Sequence, residues 1–197
     1  MSKTKSSADL LRLVYFFYEL GTLRKLPRSH MQTLMTADLS DNIASHSFRV
    51  ALIGLFLAKL EKADTDKVLK MCLFHDISES RSGDQNWVHK RYVKVFEAEI
   101  TADQLHDLPT EPEITDLVKE YSERRTLEAK IAKDADRLDQ TLLEQEYIMM
   151  GNQEAKSWGR TNRTNLSTQS AKQLAKLIIK TSPGDWWTKN LWTDKRR

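Results

Sequence analysis

Apolar residues recur every three or four positions along most of this chain, and that spacing is typical of one face of an α-helix. Near the N-terminal end, Leu10, Val14 and Phe17 follow this spacing, so the sequence predicts a first helix over 8–20. Residues 25–41 break the period with Pro, Ser, Thr and Asp. That composition predicts a loop.

The most apolar periodic segment is 43–60. Val50, Ile53 and Leu57 lie on one face of this helix, and neighbouring apolar residues make the face wider than a surface helix needs. We therefore expect this helix to lie at the centre of the fold. Leu60 shares this face, and the residues that widen it are Leu52, Leu55 and Phe56.

Capping and turn signals divide the middle of the chain into further elements. Asp64 or Asp66 is expected to cap the next helix, and 80–86 is a cluster of turn residues. A mixed, partly helical segment then leads to Thr110-x-x-Glu113. This is a capping-box pattern, and it predicts that another helix starts there.

The C-terminal part of the chain carries a long helix and a helical extension. Helical spacing continues over 125–150, whereas 159–167 is polar and is expected to form a loop. Ser167 or Thr168 is expected to cap the last helix. The apolar tail should dock on the body of the protein, because an exposed patch of this kind is unusual. Its residues are Trp186, Trp187, Leu191 and Trp192.

The composition is that of one globular, all-α unit. Of the 197 residues 40% are hydrophobic and 30% are charged, and only six Gly and four Pro are present. These numbers leave little material for a turn-rich β architecture. We expect a core over 1–155, with a loop and a C-terminal helical extension over 156–197 packed on it.

Charge and cysteine content narrow the function classes. The 31 cationic and 28 anionic residues are interleaved, which is typical of a solvated surface and not of a nucleic-acid interface. The short basic run 195–197 is read as a solubilising end. Cys72 is the only cysteine, and the first helix is too short and too charged to span a membrane. We expect a cytoplasmic protein with no nucleic-acid and no membrane partner.

Two histidines and one aspartate carry the candidate chemistry. His46 shares a helix face with Val50, and His75 follows Met71 by one turn, so both imidazoles point inward. Asp76 lies directly beside the second. Each residue alone is explained by a hydrogen bond in the core or a helix end. Together, near the ends of consecutive helices, they favour a shared metal, because a buried carboxylate needs a cation or another partner.

A further oxygen ligand is expected in the segment 133–139, which carries three carboxylates. Asp136 and Asp139 flank the apolar stripe of the predicted long helix, and spacing alone does not choose between them. Asp134 is interpreted as a surface partner of Lys133 or Arg137.

Four segments resemble the HD-domain metal-dependent phosphohydrolases, in the branch of the bacterial 5'-deoxynucleotidase. They are 44–50 around His46, 74–79 with the motif His-Asp-x-x-Glu, 82–84, and 133–136. The ordered set is specific, and the resemblance covers about 10–150. It implies a compact helical HD-domain bundle that binds one divalent cation. The ligands that it implies are His46, His75, Asp76 and Asp136.

The resemblance also implies catalytic and substrate-binding residues. Glu79 would accept a proton from the water that attacks phosphorus. Asp84 would contact the sugar, and Arg28 would bind the phosphate. The residue after this Arg is Ser29, where the bacterial enzyme has Trp, so the resemblance does not carry selectivity for deoxyribose.

The implied function is hydrolysis of nucleoside 5'-monophosphates, so the implied partner is a small nucleotide. The mixed nitrogen and oxygen ligands suit Co²⁺, Mn²⁺, Fe²⁺ or Zn²⁺. Two alternatives are hydrolysis of nucleoside di- or triphosphates at the same site and a non-catalytic nucleotide-sensing module. Relatives of this branch are commonly dimers, and the apolar tail offers a homodimer an interface.

The remaining candidates are interpreted as surface groups. Three histidines lie in polar or loop contexts: His30, His89 and His106. Three cations in the polar loop are interpreted as solvated, with contacts to phosphate as the alternative. They are Lys156, Arg160 and Arg163.

Overall fold

The periodic segments fold into α-helices in a computed structural model, which describes residues 6–158 and 160–191. Within these residues there is no β-strand, only one isolated bridge, so the all-α prediction is confirmed. A 3-10 turn, Leu23–Lys25, and a π-helical turn, Trp186–Leu191, accompany the helices. The α-helices are α1 (Ser7–Leu20), α2 (Met31–Leu34), α3 (Ile43–Glu61), α4 (Thr65–Phe74), α5 (Glu79–Ser82), α6 (His89–Tyr92), α7 (Glu97–Leu105), α8 (Glu111–Glu123), α9 (Leu127–Met149), α10 (Ala155–Trp158), α11 (Arg160–Thr164) and α12 (Gln169–Ile178).

Helices α3, α4 and α9 pack against one another at the centre of the fold. Leu57 of α3, Cys72 of α4 and Ile131 of α9 are fully buried in one apolar cluster. The first two helices approach closely at Gly54, where a Cβ atom would lie 2.5 Å from the Sγ of Cys72. Only glycine permits that approach without a shift of the neighbouring side chain. The prediction of a central helix over 43–60 is confirmed.

Side-chain caps fix where these helices start and thereby place the candidate ligands. Asn42 Oδ1 accepts a hydrogen bond of 3.0 Å from a backbone amide in the first turn of α3. His46 therefore lies one turn inside the helix. Asp64, and not Asp66, caps α4, and His75 directly follows the last residue of that helix.

Helix α3 is buried on one side only. Leu52 and Phe56 are 41% and 66% exposed, so the prediction that they widen a buried face was wrong. Leu60, which was predicted on that face, is 60% exposed. Of the helices in the described ranges, this one alone is long and apolar enough to cross a membrane. Its packing against α4 and α9 is that of a core helix.

The C-terminal extension returns to the central helices. α12 packs on α9 and α3, and Thr168 caps it as one of the two predicted alternatives. The carboxylate of Asp134, which is fully buried, accepts hydrogen bonds from the backbone amides of Ser167 at 2.9 Å and Thr168 at 2.7 Å. The interpretation of Asp134 as a surface residue was wrong, because this carboxylate holds the start of α12. The division at residue 155 stays a prediction.

Three local expectations were wrong. Thr110 makes no capping hydrogen bond, because its φ of −112° and ψ of 12° are not the extended conformation of a capping residue. The predicted loop 159–167 contains α11. Trp186 and Trp187 pack edge to face on each other and are 57% and 58% exposed, instead of docking on the core. The other tail positions lie outside the described residues or side chains: Leu191, Trp192 and 195–197.

Candidate metal centre

The four candidate ligands come from the three central helices. His46 Nε2 lies 3.4 Å from Asp136 Oδ1 and 3.5 Å from Asp76 Oδ2. His75 Nε2 lies 3.1 Å from the same oxygen of Asp76. One potential ligand atom each of His46, His75 and Asp136 lies within 4.8 Å of the others. The fold therefore brings together residues that lie up to 90 positions apart in sequence.

Both imidazoles present a free nitrogen to this cluster. His46 Nδ1 bonds to Asp139 Oδ2 at 2.6 Å, and His75 Nδ1 donates to the carbonyl oxygen of Cys72 at 2.8 Å. Both Nε2 atoms are buried without a hydrogen-bond partner in the described part of the chain. With the proton on Nδ1, each Nε2 keeps a lone pair for a metal. The donor set therefore fits a divalent cation.

The electrostatics of the cluster also favour a cation. Burial and the nearby Arg28 lower the pKa of His46, but Asp136 and Asp139 outweigh both and raise it to about 9. Burial alone would raise the pKa of Asp136, yet Lys133 and His46 hold it well below its usual range. Without a metal, the negative charge of the carboxylates stabilises the protonated, positively charged imidazole of His46. A divalent cation would replace that proton as the positive charge of the cluster.

Asp139, the alternative ligand in the sequence, supports His46 from behind. Its Oδ1 accepts a hydrogen bond from Arg49 Nε, while its Oδ2 bonds to the imidazole. A carboxylate on the far ring nitrogen fixes the tautomer and orientation of a ligating histidine. Asp136 and Asp139 are three residues apart on α9, so both face α3. That spacing was the only sequence signal for the second role.

Three residues that the sequence did not single out surround Asp136. Lys133 Nζ donates to Oδ2, Tyr121 OH lies 3.4 Å from the same oxygen, and Gln140 Nε2 donates to Oδ1 at 3.1 Å. The packing of α8 on α9 brings Tyr121 to this position. A sequence taken without its fold carries no signal for that contact.

Glu79 lies at the start of α5, beside the cluster. Its Oε2 is buried and has no hydrogen-bond partner among the described residues. Burial and the charges of Asp76 and Asp84 raise the pKa of Glu79 to about 9. A carboxyl group with raised proton affinity and a free oxygen is suited to proton transfer.

Arg28 and Asp84 form the rim of the cluster. Arg28 Nη1 donates to Asp76 Oδ2 at 3.0 Å, and Arg28 Nε is buried without a hydrogen-bond partner in the described ranges. Asp84 Oδ2 accepts hydrogen bonds from Ser29 N at 2.7 Å and Ser29 Oγ at 3.0 Å. The loop predicted over 25–41 is thus pinned to the segment after α5.

The expectation for His30 was wrong. It was expected on the surface, but it is 7% exposed, and its Nε2 lies 2.5 Å from Asp41 Oδ2. Its ring also packs on Trp158, with 4.6 Å between the ring centroids. His106 is exposed as expected, and His89 is half-buried.

The predicted solvated cations differ in their surroundings. Lys156 is exposed, but Arg163 pairs with the buried carboxylate of Glu144, so the interpretation of Arg163 as a solvated group was wrong. That carboxylate is 1% exposed and needs a cationic partner. The side chain of Arg160 lies outside the description.

Two cavities open onto the cluster, and both reach Asp76 and Glu79. The larger, about 600 Å³, is also lined by Arg28, Asp84 and Asp136. The smaller, about 410 Å³, is lined by valines and by several polar residues. Both volumes lie in the range of small-molecule sites.

Comparison with known proteins agrees with this arrangement. A family model described as HD domain matches residues 20–178. The 5'-deoxynucleotidase HDDC2 of Dictyostelium discoideum is 29% identical over 145 residues, which are 67% of this chain and 75% of the relative. The human protein of that name is 25% identical over 154 residues, 74% of this chain and 73% of its own length.

Solved structures share the fold. A conserved hypothetical protein from Pyrococcus furiosus has a TM-score of 0.70 and 28% identity, and the match covers 85% of this chain and 97% of that one. An HD-domain phosphohydrolase from Listeria innocua has a TM-score of 0.61 at 20% identity, over 91% and 87% of the two chains. The second likeness concerns the fold alone.

A helical bundle that buries two histidines beside aspartates, with both Nε2 atoms free, defines the class of metal-dependent phosphohydrolases with an HD domain. The chain belongs to the HD domain family, as the sequence motifs predicted. It is a hydrolase, and its His/Asp cluster is the place for a divalent metal.

Proposed function

We propose that this protein hydrolyses nucleoside 5'-monophosphates to nucleoside and phosphate, with His46, His75, Asp76 and Asp136 as the ligands of its metal. The observation that carries the proposal is the pair of imidazole nitrogens without a hydrogen-bond partner among the described residues, next to Asp76 and Asp136. These two aspartates line a cavity of about 600 Å³, which is large enough for a nucleotide. The names of the curated relatives support the substrate class.

Each residue around the cluster has a chemical task in this proposal. A bound divalent metal supplies Lewis acidity toward the phosphoryl group and the attacking water. Arg28, whose Nε lies 3.5 Å from Asp84 Oδ2, donates an N–H to a phosphate oxygen. Glu79 accepts the proton as water attacks phosphorus and the bond to the 5' oxygen breaks. The cation offsets the raised pKa of this carboxyl, because nearby positive charge favours the ionised form.

Asp84 is proposed to bind the sugar. Its Oδ2 is held by the backbone and hydroxyl of Ser29, which leaves its other oxygen to accept a hydrogen bond from a ribose hydroxyl. This carboxylate lines the larger cavity together with Arg28. Phosphate and sugar would then be contacted from one side of the cavity.

The experiment is phosphate release from a panel of nucleoside mono-, di- and triphosphates, with the protein loaded with Co²⁺, Mn²⁺, Fe²⁺ or Zn²⁺ in turn. We expect release from 5'-monophosphates, its loss in His75→Ala, and no change in the exposed control His106→Ala. Release only from di- or triphosphates would show that these nucleotides, and not monophosphates, are the substrates. Metal and nucleotide binding without any release would make the protein a sensing module.

A further inference from the structure

The larger cavity is lined by two chemically different sets of residues. One set consists of the carboxylates and Arg28 described above, and the other contains Trp158, Trp87 and the amide of Asn162. Carboxylates and a cation suit a metal and a phosphate. Aromatic faces next to amides suit a flat heteroaromatic ring, which stacks on the former and hydrogen-bonds to the latter.

Trp158 is held in place by its surroundings. Its ring packs on His30, and Asp41 fixes that imidazole through its Nε2 at 2.5 Å. Trp158 also packs, partly buried, against a small apolar cluster that contains Leu34 and Tyr147. A ring that is already ordered loses little conformational freedom when a ligand stacks on it.

Two amide side chains that line the larger cavity form a hydrogen-bonded path to the metal centre. Asn162 Nδ2 donates to Gln140 Oε1 at 2.8 Å, and Gln140 Nε2 donates to Asp136 Oδ1 at 3.1 Å. Both amides line the cavity. Two hydrogen bonds therefore connect a candidate metal ligand to Asn162, which lines the same cavity as Trp158.

No tryptophan among the described residues lines the smaller cavity. Apart from the imidazole of His75, Tyr121 is its only aromatic lining residue among those described. The Tyr121 ring lies 5.2 Å from the His75 ring, and Lys133 Nζ lies 5.6 Å from its centroid. Tyr121 is 8% exposed, so it offers a base little surface.

We propose that the larger cavity contains a nucleobase subsite in which Trp158 stacks on the base, while the phosphate lies at the metal centre. This inference rests on the proposed function and adds the part of the substrate that the metal centre does not recognise. The enzyme would then prefer a nucleotide to a sugar phosphate that has no base.

The test compares kcat/KM for nucleoside 5'-monophosphates with kcat/KM for 2-deoxyribose 5-phosphate, in the metal-loaded wild type and three variants. Stacking of one base is worth about 1–3 kcal/mol, or roughly 5- to 100-fold. We expect Trp158→Ala to lower the ratio of the two values about ten-fold, mainly through KM. Trp158→Phe should restore most of the ratio, and the exposed control Trp187→Ala should leave it unchanged.

Two results would overturn the subsite. One is an equal loss for both substrates in Trp158→Ala, which is the result expected if this ring only packs the apolar cluster. The other is a wild type without preference for nucleotides. If the wild type releases no phosphate from any nucleotide, the proposed function fails, and calorimetric binding of thymidine 5'-monophosphate decides the subsite. Binding that Trp158→Ala weakens supports it, and absence of binding or an unchanged affinity rejects it.

Discussion

Helix α9 buries carboxylates on two of its faces and uses them differently. On the face toward α3, Asp136 joins the candidate metal ligands and Asp139 holds His46. On the other face, Asp134 accepts backbone amides at the start of α12, and Glu144 pairs with Arg163. All four residues are at most 4% exposed. Burial of a carboxylate therefore does not identify a metal site. Its partners do, because of these two faces only the first meets imidazole nitrogens that lack a hydrogen-bond partner among the described residues.

Exchange of one carboxylate on the metal face should have the largest effect. In Asp136→Asn we expect metal affinity to fall by more than the ~100-fold loss typical of a supporting residue, because a charged ligand is removed. Phosphatase activity should fall with it. Titration of the metal-free protein with Co²⁺, followed by calorimetry, measures the loss. A variant that still binds cobalt like the wild type would remove Asp136 from the ligand set.

The matching exchange on the other face should change stability instead. Asp134→Ala leaves the buried backbone amide of Thr168 and the part-buried amide of Ser167 without their acceptor. We expect a loss of about 3 kcal/mol in the free energy of unfolding, since each unsatisfied buried group costs about 1–3 kcal/mol. Urea denaturation measures this. At a temperature where the variant is folded, its metal affinity should equal that of the wild type within error. A large drop in metal affinity would show that Asp134 also contributes to the metal site.

A variant of Asp139 tests whether a residue that holds a ligand, without binding the metal itself, contributes to metal affinity. In Asp139→Asn the imidazole of His46 loses a charged acceptor but keeps its place, so we expect metal affinity to fall about 10- to 100-fold. The control is Glu146→Gln, which changes the other, more exposed carboxylate partner of Arg49. Equal metal affinities in the two variants would show that Asp139 only neutralises Arg49.

The smallest expected effect is a pH dependence that belongs to the metal face. The pKa of Glu79 is raised from 4.5 to about 9 in the folded protein, so the folded chain keeps a proton that the unfolded chain releases. Its contribution to stability is complete below pH 4.5 and is lost as the pH rises toward 9. Without metal, we expect the protein to be about 1 kcal/mol less stable at pH 8 than at pH 7 from this group.

Two comparisons check the origin of that pH dependence. Glu79→Gln cannot titrate and should give a flatter curve of unfolding free energy against pH. Saturating metal should flatten the wild-type curve as well, because the cation stabilises the ionised carboxylate. Parallel curves for wild type and variant would assign the dependence to other groups.

The helices and the core of the metal motif were predictable because their signals are local. A helix repeats every 3.6 residues whatever it packs against, so spacing alone placed the central helix and put His46 and His75 on inward faces. The His-Asp doublet with Glu79 one turn later is likewise a feature of one short segment. Asp64 and Thr168 were among the predicted caps, since a cap acts within its own first turn.

What only the tertiary structure decided are contacts between segments that are distant in sequence. Asp136 and Asp139 are equivalent by spacing, and they differ because one meets the two Nε2 atoms and the other meets Nδ1 of His46, 93 residues away. No sequence signal predicted that Asp134 accepts backbone amides at the start of α12 or that Trp158 packs on His30, because both contacts follow from the return of the chain along α9. Periodicity depends on the backbone of one segment, whereas the partner of a buried polar group depends on how separate segments pack, and for these residues the packing determines the function.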